Sequence, residues 1–472
     1  MNLKKYLLAT ALVGLGSAPT LAADLAARPY TKAPALAAVY DWTGFYIGVN
    51  AGVGIGRDRL QQDFFQVGSP YSFYASPQGG FGGGQLGYNW QTGSMFGPVV
   101  FGVEADIQGA GLSDDRTNFG LVGINTRYDQ KLDWFGTARG RIGIANGPVL
   151  SYVTAGYAFG NVRTDVTQTF GAATATSSTD RLQSGWVVGS GVEAALGGNW
   201  TGKIEYLYLN LGNKIVNSAL LFAATPLASE IRENIFRVGL NYRIGGNSSY
   251  VPVAAANWAG FYLGGNFGSG TGRDRSSLSI PAAPVIENFN LAPDGINGGI
   301  QAGYNWQAAN VVFGLEADIQ GSTQQDNKTC VFLCIPAGRA AYDATLPWFG
   351  TVRGRLGYSV GSTLFYATGG LAYGSIKTKI NTVSFVGPVT QSFSHTNAGW
   401  TVGAGIETPF RLLGLLGPNW TTKTEYLYVD LGSTSDSFVF GALPATTTRS
   451  VTEHIFRTGI NYHFNSPVVA KY

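Results

Sequence analysis

Residues 234–244 alternate strictly between apolar and polar: Phe236, Val238, Leu240, Tyr242 and Ile244 fall on one face, Arg237, Gly239, Asn241 and Arg243 on the other. A period of two is the mark of a β-strand. Seven earlier segments alternate in the same way, roughly 44–56, 81–91, 99–109, 131–145, 149–161, 183–196 and 199–210, which predicts eight strands. Their connections alternate in length. Three are a few residues, such as Asn146-Gly147-Pro148, and the others, about 57–80, 110–130, 162–182 and 211–233, are polar loops of roughly twenty residues. A soluble sandwich has no reason to gather its long loops at one end. A barrel inserted from the periplasm does, with short periplasmic turns and long external loops.

The pattern then repeats. Asp41-Trp-Thr-Gly-Phe-Tyr returns as Asn257-Trp-Ala-Gly-Phe-Tyr, Gly87-Tyr-Asn-Trp as Gly303-Tyr-Asn-Trp, and Phe101-Gly-Val-Glu-Ala-Asp as Phe313-Gly-Leu-Glu-Ala-Asp. Trp134-Phe-Gly-Thr pairs with Trp348-Phe-Gly-Thr, Glu205-Tyr-Leu-Tyr with Glu425-Tyr-Leu-Tyr, and Ile235-Phe-Arg with Ile455-Phe-Arg. Order is kept and the offset stays between 212 and 220 residues. The expected fold is all-β: an antiparallel transmembrane β-barrel in two tandem 8-stranded units, with one 16-stranded barrel as the alternative. Sixteen strands would open an aqueous channel, and eight would leave room for side chains only.

Composition agrees with a membrane barrel. Charged residues are only 12%, aromatics 13%, and 67 of the 472 residues are glycine. No run of 18 or more apolar residues follows the N-terminus, which excludes a helical membrane protein. A net charge of +3 without a basic run gives no support to a nucleic-acid partner. Lys4 and Lys5, a short apolar stretch and Thr20-Leu21-Ala22 read as a secretory signal peptide. The expected layout is signal peptide 1–22, Ala/Pro-rich periplasmic leader 23–40, first unit 41–245, linker 246–256, second unit 257–465 and tail 466–472. Trp42, Phe45, Trp90, Trp134, Trp200 and Tyr206 lie near segment ends, where an interfacial girdle is expected.

The faces opposite the apolar ones carry Glu104, Arg139, Arg141, Glu193, Lys203, Glu205 and Arg237, repeated in type as Glu316, Arg353, Arg355, Glu407, Lys423, Glu425 and Arg457. Ions facing lipid are costly, so these point into a lumen and pair there. They are expected to form a salt-bridged filling, with a charge-lined pore as the competing reading. Gly48, Gly52, Gly102 and Gly239 share this face and make room for the long side chains. Cys330 and Cys334 in a long loop of the second copy are a possible disulfide. His395, His454 and His463 replace Arg181, Asn234 and Arg243 of the first copy, and no nucleophile elbow lies beside them. No catalytic, metal or cofactor site is expected. Gly52-Val-Gly-Ile-Gly56 has no following helix and reads as barrel wall.

Asp24-Leu-Ala-Ala-Arg-Pro-Tyr30, Trp-x-Gly-Phe-Tyr-x-Gly, Gly-Tyr-Asn-Trp, Gly-x-Glu-Ala-Asp, Trp-Phe-Gly-Thr-x-Arg-Gly-Arg and the closing Asn461-Tyr-His-Phe464 together resemble the outer-membrane immunogenic protein family of alphaproteobacteria, porin-like outer-membrane barrels. The resemblance spans nearly the whole chain, twice over. It implies a surface-exposed, antigenic outer-membrane protein with structural or passive-transport roles and no catalytic residues. Family members resemble a single copy, and only the second copy ends on the closing aromatic that resembles an assembly signal. Expected partners are outer-membrane lipid and lipopolysaccharide, and the barrel assembly machinery during insertion; any extracellular partner of the loops is unknown. The competing function is a general diffusion porin.

Overall fold

The computed structural model describes residues 40–62, 71–94, 97–121, 124–219, 224–245, 256–282, 285–335, 338–384, 386–410 and 417–464. In chain order the first half holds β1 (Gly44–Gly56), β2 (Asp58–Gln62), β3 (Tyr71–Ala75), β4 (Gln78–Thr92), β5 (Val99–Leu121), β6 (Ile124–Asn146), β7 (Val149–Phe170), β8 (Ala173–Gly197), β9 (Trp200–Ala219) and β10 (Ala224–Ile244). The second holds β11 (Gly260–Ile280), β12 (Val285–Leu291), β13 (Asp294–Ala308), β14 (Val311–Ile335), β15 (Gly338–Val360), β16 (Thr363–Ser384), β17 (Gly387–Pro409), β18 (Trp420–Phe440) and β19 (Leu443–His463).

Two rings close. In the first, β1 pairs with β4 on one side and β10 on the other, with Val49 opposite Leu240 and Ala51 opposite Val238. In the second, β11 pairs with β13 and β19, with Phe267 opposite Thr458. Each ring has eight wall strands, and the short β2, β3 and β12 extend it at one end. The alternative of one 16-stranded barrel is therefore overturned, because β10 returns to β1 instead of continuing to β11. Closure leaves no open edge, which hydrocarbon requires.

The strands run far past the membrane. A crossing strand needs about 9–11 residues, yet β7 has 22 and β8 has 25. The stretches expected as loops, 110–130, 162–182 and 211–233, are largely continuous hairpin, paired from Thr164 opposite Thr179 out to Phe170 opposite Ala173. Apolar periodicity ends at the lipid boundary, but ladder hydrogen bonds do not need it. At the other end the turns are tight: Gly147 and Gly361 take φ of +58° and +59°, a region glycine enters without strain.

Two girdle assignments are corrected. Phe45, Trp90 and Trp200 are exposed on the outer wall, but Trp42 is wholly buried inside the barrel mouth. Tyr206 is covered by the second barrel, its ring stacked on Phe456 at 5.5 Å.

Both rings fall within one compact unit, joined by an outer-face seam. Ile55, Val192, Ala194, Ile204 and Phe236 of the first ring meet Ile406 and Phe456 of the second. The contact is reciprocal: Tyr206 meets Phe456 and Phe236 meets Tyr426 at 5.0 Å, each residue facing the repeat equivalent of its own partner. Beyond the lipid the reciprocity becomes ionic. Arg57 reaches Asp326 at 2.9 Å and Asp294 at 3.1 Å, while its counterpart Arg273 lies 3.7 Å from Asp114, which also accepts from Asn290 at 2.9 Å. Lys328 sits in this ionic cluster. Burial holds its amine down at about 8, while Glu287, Asp114 and Asp326 pull it up.

Two expectations follow. Val49→Cys with Leu240→Cys, in a chain lacking the native cysteines, will form a disulfide seen as a linked peptide by mass spectrometry; absence of the link under oxidation would count against ring closure at β1–β10. The folded Lys328 amine is a weaker base than the unfolded one, so its charge opposes folding fully below about pH 8, and the penalty fades as pH rises toward 10.5. Wild type should therefore gain urea resistance relative to Lys328→Met between pH 7 and pH 10, and a difference that stays constant refutes the assignment.

Candidate functional site

The lumens are where sequence placed charge, and inward-pointing residues of every wall strand build them. In the first lumen Glu104 accepts from Lys203 at 2.9 Å, from Arg237 at 3.3 Å, from the Tyr46 hydroxyl at 2.7 Å, and from Arg139. Glu205 accepts from Arg139 at 3.0 Å, Arg237 at 2.5 Å and the Tyr152 hydroxyl at 2.9 Å. Glu193 and Arg141 pair at 2.9 Å nearer the short turns, held by Thr201, Asn241 and Asn89.

The second lumen repeats the arrangement. Glu316 binds Lys423 at 2.8 Å, the Tyr262 hydroxyl at 2.8 Å, and Arg353. Glu425 binds Arg353 at 3.2 Å, Arg457 at 2.7 Å and the Tyr366 hydroxyl at 3.0 Å. Glu407 pairs with Arg355 at 2.9 Å. All fourteen side chains singled out in the sequence thus lie in the two networks, seven in each, and all are buried.

Sequence reasoning missed one member of each network. Asp106 receives Arg139 at 2.9 Å, Arg237 at 3.0 Å and the Thr137 hydroxyl at 2.8 Å; Asp318 receives Arg353, Arg457 and Thr351 likewise. The signal was present, since Glu104-Ala-Asp106 puts both carboxylates on one face of one strand. With the aspartates, four carboxylates face four cations in each of these two networks. That balance is what a low-dielectric interior demands, because an unpaired buried ion costs far more than a paired one.

Glycines shape the space. A Cβ on Gly102 would fall 3.0 Å from the Arg141 side chain, and one on Gly239 would fall 3.0 Å from Lys203. On Gly87 it would strike the Tyr46 ring at 2.4 Å, and Gly191 stands in the same relation to Tyr152.

Apolar layers close both ends. Trp42 donates its indole N–H to the Gly147 carbonyl at 3.1 Å and packs with Tyr40, Val100 and Leu150 across the mouth beside the short turns. Trp258 plugs the second barrel in the same way, donating its indole N–H to the Ser359 hydroxyl oxygen at 3.1 Å. On the other side of the ions Phe81, Leu112, Phe135, Leu207 and Ile235 fill the first lumen, and Phe349, Leu427, Leu431 and Ile455 the second.

The histidines are not brought together. His395 bonds Asp436 at 2.7 Å in the projecting part of the second barrel, and His463 bonds Glu407 at 3.2 Å in the lumen. His454 sits in the seam, between Gln78 of the first barrel at 2.8 Å and the Tyr426 hydroxyl at 2.7 Å. Among the described residues no group of His, Cys, Asp and Glu has the arrangement of a metal site. The side chains of Cys330 and Cys334, residues 1–39, the linker 246–255 and the tail lie outside the described residues.

Arg139→Leu takes one cation from Glu104, Asp106 and Glu205 together, and is expected to cost about 3–5 kcal/mol, read as a fall in the urea midpoint in lipid vesicles. Arg163→Leu, on a half-exposed pair with Asp165, should change it by about 0–1 kcal/mol. Equal effects from the two would contradict a buried network.

The family model for the outer membrane protein β-barrel domain matches residues 8–243 and again residues 246–464. Curated relatives each cover about half of the chain. The 31 kDa outer-membrane immunogenic protein of Brucella melitensis is 33% identical over 249 residues, 51% of this chain and 99% of that protein. The 22 kDa outer membrane protein of Rhizobium leguminosarum is 32% identical over 214 residues, 44% of this chain and 80% of that one. Among solved structures, the attachment invasion locus protein of Yersinia pestis covers 42% of this chain and 99% of its own, at 15% identity and a TM-score of 0.20. In each of its two halves the chain belongs to the outer membrane protein β-barrel domain family, and its location is the cell outer membrane.

Proposed function

We propose that this chain is a non-enzymatic structural and surface-exposed protein of the outer membrane, each of its barrels closed to solutes or at most a narrow pore. The observation that supports this reading is the layered filling of both lumens: an indole plug, a neutral set of buried ion pairs, and an apolar layer in series. Solutes passing a diffusion porin need a hydrated path, and here the charges that would line one hold each other instead. What such a protein offers its surroundings is its outside. Hairpins that project well past the lipid carry polar residues such as Arg127, Asp129, Arg163 and Asp165 on their outer faces. On this reading its partners are outer-membrane lipid and lipopolysaccharide, with the assembly machinery engaged during insertion, and the projecting hairpins are the antigenic part.

The test is electrical. The refolded full-length chain in planar bilayers is expected to give no large stable openings. Steps of the size of a diffusion porin would overturn the reading.

A further inference from the structure

Two apolar grooves run along the seam between the barrels, one on each side. The first, of about 590 Å³, is walled by Leu196, Ile204 and Val238 of the first barrel and by Leu356, Phe365 and Ile406 of the second. The other, of about 570 Å³, is walled by Ile142, Ile144, Val153 and Val192 of the first barrel and by Thr424 and Phe456 of the second. They are related as the barrels are: Ile142, Val153 and Val192 in one groove are the repeat counterparts of Leu356, Ala367 and Ile406 in the other.

Four features say what fills them. Both grooves open onto the outer wall, where Val103, Ile142, Val153 and Leu356 face hydrocarbon. Water there would meet almost no polar group, and an unfilled apolar trough at that depth loses contact energy on every wall. They are continuous with the seam itself, sharing Val192, Ile204, Ile406 and Phe456 with its apolar cluster. Their floors contain glycine, so a slender chain can lie against backbone: a Cβ on Gly202 would meet only Leu196 and Phe365, at 3.5–3.7 Å. Finally, they lie at the end of the wall that carries the short turns, next to Val99, Ser151 and Tyr358. In an outer-membrane barrel that end is periplasmic, so the occupant comes from the phospholipid leaflet.

We infer that each groove holds one acyl chain of a periplasmic-leaflet phospholipid as an integral filler of the seam, so that the chain carries two retained phospholipids. Within hydrocarbon the gain is van der Waals contact rather than transfer from water. Two walls and a floor bury more of the chain than one flat barrel surface does, which is the basis for retention over exchange.

The test is native mass spectrometry of the full-length protein, delipidated in mild detergent and then given palmitoyl-oleoyl phosphatidylethanolamine. Wild type is expected to retain two lipids per chain, Gly202→Trp or Thr422→Trp one, and the double variant none; Leu86→Trp, on the outer wall away from the seam, should retain two. An unchanged far-UV circular dichroism spectrum in each variant shows that loss of lipid is not loss of fold. Should Gly202→Trp misfold, Gly202→Leu fills the same space with less bulk and must also lower retention. The inference fails if retention is the same in the filled variants, or if wild type retains no more than free detergent exchange gives. It also fails if the grooves instead bring two copies together, seen as dimers that the filled variants lose.

Discussion

The hydrogen-bond ladder that returns β10 to β1, and β19 to β11, is the constraint on which everything else in this protein depends. Hydrocarbon offers no partner to a backbone N–H or C=O, so a sheet in a membrane must close. It closes here at eight strands, twice. Eight strands enclose a space about as wide as the side chains that enter it. A charged residue pointing inward therefore meets its neighbours rather than water. In each ionic network four carboxylates meet four cations for that reason, and the glycines beneath Arg141, Lys203 and Tyr46 follow from the same lack of room.

Closing twice creates a second problem, because two barrels in one chain share a membrane without a hydrophobic effect to draw them together. The seam answers with shape and reciprocity. Tyr206 and Phe236 meet Phe456 and Tyr426, and the tie between Gln78 and His454 adds a hydrogen bond where the two walls meet. Arginine of each barrel reaches an aspartate of the other above the lipid. The interface has the isologous form expected of a two-fold dimer, written within a single chain.

Much of this was legible in the sequence, and the rest was hidden for physical reasons. Alternation in β10 assigned Arg237 inward and Val238 outward, and the structure has them so. The same alternation could not tell that Phe236 faces protein while Val238 faces lipid, because both surroundings are apolar. Hairpins beyond the lipid were read as loops for a related reason: the outward residues turn polar there, which erases the amphipathic signal without weakening the ladder. Trp42 shows the limit of position-based reading. It stands one turn before β1, where a girdle tryptophan would stand, but the chain tucks it under the barrel and Gly147 accepts its N–H. Barrel number was the least legible feature, since the order of hydrophobic segments is identical for one ring of sixteen and two of eight. Only the register of β10 against β1 decides it.

Asymmetry between the halves then locates what the duplication left free to differ. The lumen ions are repeated in type, as are the plugging tryptophans and the tyrosines laid over glycine. Changes fall at the seam and at the lumen mouth. Asn234 of the seam became His454, and both still bond the neighbouring tyrosine hydroxyl at 2.7 Å, so the seam tolerates a change of group while keeping the bond. Arg243, whose guanidinium lies over Tyr40 and Trp42 in the first mouth, became His463, which bonds Glu407 and packs edge-on to Trp258 in the second. Substitutions of this kind keep the mouth packed by different chemistry. Two ionic networks held to one solution argue that this part of the interior serves stability.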